Sequence, residues 1–391
     1  MHIGFDISQT GATKAGCGYF AHGIISAALK DALHPRFSLY PSFGDFYFDA
    51  GMPEVNPYPA SNVDYGPRHA TLEEARAFWT DPELEARLGN PDIIHANNYW
   101  CPDQLRDIRL VYTLYDLSFI ADPTWTTEVN RDGCRRGVSR AAQHADWILC
   151  ISQASRNHFL QLFPDFPASR ARVVYPCTRF THPEQQGRWD DSAAGLLPGR
   201  FWLSVGTLEP RKNQYRIAEA YARYLDTTAS PPLPLVFAGA NGWMMEGFGE
   251  HLARLGILSH VVLAGYVADD ELAWLYRNCL AHIYFSHFEG FGLPVLEGMQ
   301  FGAATIASDS TSIPEVTGDA ALLVKPTDTA GLTQAMLRLA SDPGERERLS
   351  RAARARSVRF SWKSSATSLL ALYGEAAASP KRSAHAAAAP L

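Results

Sequence analysis

Phe288-Glu289-Gly290-Phe291-Gly292-Leu293-Pro294-Val295-Leu296-Glu297-Gly298-Met299 is the stretch on which the reading of this chain turns. An apolar run ends at Phe285, a glycine-rich turn follows, and Pro294 stands where a first helical turn starts, so the segment reads as strand, turn, helix. The first N–H groups of a helix have no partner within it, which makes such a start an anion site. Gly290 and Gly292 let the backbone approach a ligand closely. Glu289 lies in the turn and Glu297 within the first helical turn or so. Carboxylates beside an anion site are costly unless they accept hydrogen bonds from ligand hydroxyls, and a sugar and a ribose supply such hydroxyls. The plain alternative stays open at this point: Glu297 as a favourable N-terminal charge, Glu289 as a solvated loop residue.

Around this segment, short apolar runs alternate with helical patterns, the signature of parallel sheets covered by helices. In the first half, Met1–Ile7, Asp92–His95, Leu110–Leu114, Trp147–Ile151 and Arg172–Pro176 read as strands, with Gly18–Leu29 and Glu128–His144 helical. Phe46 to His69, rich in Pro, Tyr and Asn, reads as an irregular insertion, either an acceptor-side loop or a packed surface excursion. Thr181 to Arg200 is polar and reads as a linker. A second series follows, with strands at Phe201–Val205, Leu235–Ala238, Val261–Ala264, Ala281–Phe285, Ala304–Ala307 and Ala321–Val324. Its helices are Gln214–Leu225, Asp269–Asn278, Pro294–Phe301 and Gly331–Ser341. The expected division is 1–185, 195–358, a closing helix over 359–376, and a disordered Ala-rich tail over 377–391 with little apolar surface to offset ordering. Two α/β domains imply a central cleft, and ligands of such sheets bind beyond the carboxyl ends of strands.

At 391 residues the chain exceeds most single cores, in keeping with two domains. A net charge of -6 argues against nucleic acid as a partner. Cys17, Cys101, Cys134, Cys150, Cys177 and Cys279 are scattered without paired spacing, so they read as reduced thiols rather than a disulfide frame or zinc site. The N-terminus lacks a signal-peptide pattern, and no apolar run approaches the roughly 20 residues of a membrane span. The expected location is cytoplasmic, with peripheral contact at the inner membrane face left open.

The Glu289–Glu297 segment resembles the paired-glutamate motif, with seven residues between the acids, of retaining glycosyltransferases of family 4, which have the GT-B fold. The resemblance extends to Ser204-Val205-Gly206-Thr207-Leu208-Glu209-Pro210-Arg211-Lys212-Asn213, to Ala264-Gly265-Tyr266-Val267 and to Phe360-Ser361-Trp362. It implies two Rossmann-like doubly wound domains facing a cleft, with the C-terminal helix crossing back to the first. The implied donor is a nucleotide-diphosphate sugar, and the implied acceptor a hydroxyl of a glycan or lipid-linked sugar. By the same resemblance Glu289 binds the donor sugar, Glu297 the ribose diol, and Phe291, Gly292 and Leu293 line the sugar and phosphates. Tyr266 and Val267 fall where the base is held, although a strand-end Tyr-Val is equally common core packing. Arg211 and Lys212 follow a strand and a Gly-Thr turn, and cations there stabilise the charge that accumulates on a leaving diphosphate. No convincing Asp-x-Asp signature is present, so no metal and no cofactor are expected. Thr13-Lys14-Ala15-Gly16-Cys17-Gly18-Tyr19 resembles the family's glycine-rich loop over the donor phosphates, through Gly16 and Gly18; Lys14 adds a charge there or is merely solvated.

The departure is at Tyr115-Asp116, where family members commonly carry His before the Asp. A tyrosine donates a hydrogen bond but is no cation near neutral pH. Retention in the family is described as front-face attack with the leaving phosphate taking the acceptor proton, a route that needs no protein base at Tyr115. His95 ends a neighbouring strand, where it either approaches the acceptor or serves the structure. The arginine run from Arg346 to Lys363 is either a lipid-facing surface or a solvated helix face interspersed with Glu345 and Glu347. Other readings of the same cleft are a non-catalytic nucleotide-sugar-binding protein, an epimerase, and a phosphorylase-like enzyme, for which no pyridoxal-anchoring lysine is identifiable. Gly16-Cys17-Gly18-Tyr19-Phe20-Ala21 is not GxGxxG, which disfavours an oxidoreductase.

Overall fold

The computed structural model describes residues 1–11, 14, 16–30, 35–46, 57–180, 187–189, 195–228 and 230–383. Thr13 and Ala15 of the first loop, much of the expected insertion and linker, and the final residues 384–391 lie outside the described residues. The chain divides into two compact units. The first comprises Met1–Pro123, Glu128–Cys177 and Phe360–Leu391, and the second Thr124–Thr127 and Thr178–Arg359.

In the first unit seven strands run parallel: β1 (His2–Asp6), β2 (Arg36–Tyr40), β3 (Val63–Tyr65), β4 (Ile93–Ala96), β5 (Arg109–Leu114), β6 (Trp147–Cys150) and β7 (Ala171–Val173). Their order is β3-β2-β1-β4-β5-β6-β7, so the winding reverses between β1 and β4, where Ile3 pairs with Ile93 and Phe5 with His95. Strands covered on both faces must be apolar throughout, and Ile3, Phe5, Phe37, Leu39, Ile93, Val111 and Ile148 are fully buried. β2, β3 and the Gln153–Leu162 helix carry no strong sequence signal and were not expected.

The second unit repeats the plan with β8 (Trp202–Val205), β9 (Leu235–Ala238), β10 (Val261–Gly265), β11 (Ala281–Tyr284), β12 (Thr305–Ser308) and β13 (Ala321–Val324). The order β10-β9-β8-β11-β12-β13 reverses between β8 and β11. Alternation along β8 sends Trp202 into one core with Tyr221, Ile283 and Met336, and Leu203 into another with Val236, Leu275 and Phe301. Both units are therefore doubly wound α/β folds, and each reversal opens a crevice at the carboxyl ends of its strands.

Two expected boundaries shift. The division falls at Cys177/Thr178, not within 186–194, because Thr178 bonds to Gln300 and Arg179 to Glu297 of the second unit. The tail expected to be disordered from 377 is placed through Ser383: the Trp362–Ala378 helix packs on the Gly16–Ala28 helix in the first unit, and the chain continues along that unit. Arg382 there donates to the carbonyls of Ala142 and Ala145 at 2.5 and 2.9 Å, while Lys381 donates to those of Leu105 and Ile108. Apolar burial was the wrong criterion for this segment; it is held by Arg382 on carbonyls at and just beyond the end of the Glu128–His144 helix and by Lys381 on carbonyls of the segment before β5.

Candidate active site

The reversal between β8 and β11 assembles the site. β8 runs into Gly206 and a short 3-10 turn, Pro210–Lys212, closed by Asn213 in the left-handed conformation (φ 63°). Asn213 donates to the carbonyls of Phe285 and Pro326 at 3.0 and 2.8 Å, which pins the turn against the end of β11. β11 leads into Glu289, whose N–H donates to Thr311 Oγ1 at 2.9 Å, and Ser312 Oγ lies 2.9 Å from the Glu289 carbonyl. Gly292 (φ 103°) then turns the chain into the Leu293–Phe301 helix, which begins with no side-chain cap on its N-terminus. A Cβ at Gly292 would lie 2.6 Å from Ile313 Cδ1, so both dihedral and space require glycine.

Arg211, Lys212 and Glu289 converge as expected. Arg211 Nη1 donates to Glu289 Oε2 at 2.9 Å, and Lys212 Nζ to Glu289 Oε1 at 2.6 Å. Glu289 is not the solvated loop carboxylate of the plain reading; it is only 7% exposed. Burial pushes its pKa up, but Arg211 and Lys212 more than reverse this and hold it down at about 2, so it is ionised at neutral pH. Each oxygen accepts one of these two bonds, and a carboxylate offers about four acceptor positions in all.

Three residues that sequence reasoning did not single out complete the cluster. Glu209, buried, accepts from Arg211 Nη2 at 2.5 Å, so Arg211 lies between two carboxylates. The Tyr284 hydroxyl accepts from Lys212 Nζ at 2.8 Å. Trp125 stacks on His287 with ring centroids 5.6 Å apart, and its carbonyl accepts from Trp243 Nε1 at 2.9 Å. Glu209 was legible as a carboxylate two residues before Arg211; Tyr284 and Trp125 had no local signal.

Glu297 stands apart from Glu289. It is 1% exposed on the Leu293–Phe301 helix, accepts from Arg179 Nε at 2.8 Å and from the Tyr276 hydroxyl at 3.1 Å. Burial raises its pKa, and Arg179 and Tyr276 act against that rise. Of the expected base-contact residues, Tyr266 is 72% exposed beyond β10, whereas Val267 is buried in the core. Phe291 is buried and Leu293 opens the helix.

In the first unit the structure joins Tyr115 to the glycine loop: its hydroxyl donates to the Cys17 carbonyl at 3.3 Å. Gly18 sits where a Cβ would be 2.0 Å from the Gln9 carbonyl, and Gly16 opens the Gly16–Ala28 helix with open space around it. Lys14 Nζ donates to the Gly11 carbonyl at 3.3 Å and lies over the Tyr19 ring. Asp116 accepts from Ser118 N–H and Oγ at 3.0 and 2.8 Å, a turn that precedes the Ser118–Ala121 helix. His95 resolves as structural. It is fully buried, with Nδ1 2.6 Å from the Tyr373 hydroxyl and Nε2 2.8 Å from Thr113 Oγ1.

Two doubly wound parallel sheets, the second carrying a cation pair and a buried glutamate at its reversal, define a GT-B glycosyltransferase. Residues 190–356 match Glycosyl transferases group 1, and residues 47–179 match Glycosyltransferase Family 4. The chain is 38% identical over 341 residues to the MMP alpha-(1->4)-mannosyltransferase of Mycolicibacterium hassiacum, covering 78% of this chain and 79% of that one. It is 30% identical over 291 residues to the O-antigen chain mannosyltransferase B of Escherichia coli, covering 72% and 74%. The chain belongs to the group 1, family 4 glycosyltransferases. Among solved structures, Anabaena HepE in complex with UDP-glucose superposes with a TM-score of 0.72 at 18% identity, over 96% of this chain and 100% of that one. Sucrose-phosphate synthase of Thermosynechococcus elongatus gives 0.70 at 19%, over 96% and 98%. At such identities the likeness shows the fold alone. The protein is thus a nucleotide-sugar-using glycosyltransferase acting on a glycan or lipid acceptor, which displaces the binding-only, epimerase and phosphorylase-like readings. No helix among the described residues is long and apolar enough to cross a membrane.

Proposed function

We propose that this glycosyltransferase transfers mannose from a nucleoside-diphosphate mannose to a glycan or lipid-linked acceptor, with retention of configuration and without a metal. The observation that carries the reading is the junction of Arg211 and Lys212 with Glu289 at the crevice between β8 and β11. The mannosyl assignment draws on the two mannosyltransferases to which the chain is similar over most of its length.

In this reading the acceptor oxygen attacks the anomeric carbon on the face from which the diphosphate departs. The bond from that carbon to the diphosphate oxygen breaks, and the acceptor proton passes to the leaving phosphate. Arg211 and Lys212 stabilise the charge that builds there, the part a divalent metal plays in other transferases. Glu289 orients the donor sugar, and Glu297 the ribose. Phe291, Gly292 and Leu293 line sugar and phosphates, with the uncapped helix start aimed at the anion. Tyr266 and Val267 border the base. Gly16 and Gly18 close over the phosphates, and Tyr115 and Asp116 face the sugar, with Tyr115 donating rather than carrying charge.

Turnover across UDP-, GDP- and ADP-linked mannose and glucose, with the product anomer read by NMR, tests the proposal. An inverted anomer, or near-native turnover by Glu289→Ala, would remove it. Activity lost with chelator and restored by manganese would contradict metal independence alone.

A cytoplasmic location with peripheral contact at the inner membrane face belongs to the same proposal. The arginine run does little to support it. Arg348 and Arg351 pair with Glu345 and Glu347, and Arg346, Arg354 and Arg356 donate to backbone carbonyls. Absence of cosedimentation with anionic liposomes at low salt would end the membrane part.

A further inference from the structure

A cavity of about 270 Å³ lies in the first unit, lined by none of the residues assigned above, between the segment that follows β2, the segment that follows β4 and the Glu128–His144 helix. Three arginines line it, and two are neutralised. Arg76 Nε donates to Asp45 at 2.8 Å, and Arg140 Nε lies 3.4 Å from Asp103. Arg136 is exposed and has no acidic partner among the described residues.

The helix is built to present these groups. Gly133, Arg136, Gly137 and Arg140 recur at helical spacing on one face. A Cβ at Gly133 would fall 1.7 Å from the Phe46 ring, and one at Gly137 only 1.6 Å from the Tyr99 carbonyl. The backbone of that face therefore lies directly against the opposite wall, and the long side chains between the glycines line the space that remains. Tyr99 itself holds a left-handed φ of 63°, a conformation unfavourable for a non-glycine residue that recurs where ligands are clamped. Its ring packs 5.7 Å from that of Tyr115, which ties the cavity wall to the end of β5. Trp100 adds an aromatic face of the kind on which a sugar ring rests.

We propose that this cavity is the acceptor subsite for a phosphate ester carried by the acceptor sugar, with Arg136 as the group that receives the phosphate. The inference rests on the transferase reading, since it names the class of acceptor. A guanidinium presents paired N–H donors that match phosphate oxygens, and no carboxylate among the described residues engages those of Arg136. Arg76 and Arg140 already hold carboxylates, so their pairs contribute little net field and the charge that meets the phosphate is that of Arg136. The phosphate has two chemical sources, a soluble sugar phosphate or a sugar linked to a polyprenyl phosphate.

The test is calorimetric binding to the full chain, with inorganic phosphate, mannose 6-phosphate and uncharged methyl α-mannoside as probes, and with vesicles that carry a polyprenyl-phosphate-linked mannose. Arg136→Ala should weaken the phosphorylated ligand about tenfold or more, Arg136→Lys should restore part of the loss, and methyl α-mannoside should not distinguish them. Donor binding and acceptor-free donor hydrolysis should stay unchanged in both variants. Arg136-dependent binding of mannose 6-phosphate assigns a soluble source, and Arg136-dependent binding to the vesicles alone assigns the lipid-linked one. Equal binding by wild type and Arg136→Ala, or none to either source, overturns the subsite while leaving the transferase reading in place. Full transfer by Glu289→Ala with phosphate binding intact would instead strike the reading of the donor site.

Discussion

Lys212 Nζ and Glu289 Oε1 meet at 2.6 Å although 77 residues separate them in the chain. The contact follows from strand order: β8 and β11 are neighbours at the sheet reversal, so the loops leaving them are forced together. With Arg211 and Glu209, two buried carboxylates and two partly buried cations are joined by three ion pairs and carry no net formal charge. On the proposed reading, a diphosphate bound here draws on cations already held in place, with little reorganisation at the moment of reaction.

Removing either cation should therefore act on the chemical step. Lys212→Ala is expected to lower kcat by about 100-fold to 1,000-fold, with a much smaller change in donor KM. Added manganese should not recover the loss. Steady-state kinetics of the variant against a nucleotide-mannose donor checks this; a change confined to KM would assign Lys212 to ground-state binding only.

The acid limb of stability should carry the mark of Glu289. Its folded pKa of about 2 is below the ordinary 4.5, so its contribution is complete above the unfolded value and is lost as pH falls towards the folded one. Urea denaturation of wild type and Glu289→Gln should show a gap in stability that is widest near neutrality and narrows between about pH 5 and pH 2. A gap independent of pH would mean that the carboxylate is not held in its charged form.

His95 is expected to govern stability and not turnover. Its imidazole is pushed down to about 3 by burial and joins Tyr373 of the closing helix to Thr113 of β5. His95→Ala should cost about 1–3 kcal/mol and leave kcat within about twofold of wild type. Because the folded pKa is depressed, the histidine's contribution is present above its unfolded value of 6.5 and is lost as pH falls below it. A kcat loss as large as that of Lys212→Ala would return His95 to the acceptor side.

The segment beyond the last helix should behave as part of the first unit. Arg382→Ala removes donors from the carbonyls of Ala142 and Ala145 and a cation from the face of Phe166, 4.7 Å away. A loss of about 1–3 kcal/mol, read as a lower Tm, is expected with unchanged donor affinity. An unaltered Tm would mean that water serves those carbonyls equally well.

Much of the candidate site was legible because it is local. Pro294 after two glycines marks a helix start, Arg211-Lys212 follows a strand end, and the spacing from Glu289 to Glu297 lies within one element and its entry turn. The missed residues act across the sequence. Tyr284 reads as an ordinary strand residue until Lys212 is placed on its hydroxyl, and Trp125 means little until His287 lies under it. Arg179 falls inside the expected first domain, 1–185, yet it belongs to the second unit and holds Glu297.

Hydrophobic periodicity and turn chemistry by themselves determined the two α/β series, most strand positions and the glycine-marked loops, since these depend on neighbours a few residues away. Strand order, and with it the choice of which distant side chains share a buried volume, was decided only in the tertiary structure. That is where Glu289 changed from a loop acid to an ionised, doubly paired group, where Glu297 took separate partners, and where the polar segment at Arg382 became ordered. In each case the deciding term is the cost of burying charge or carbonyls without a partner, and a partner is known only once the chain has closed on itself.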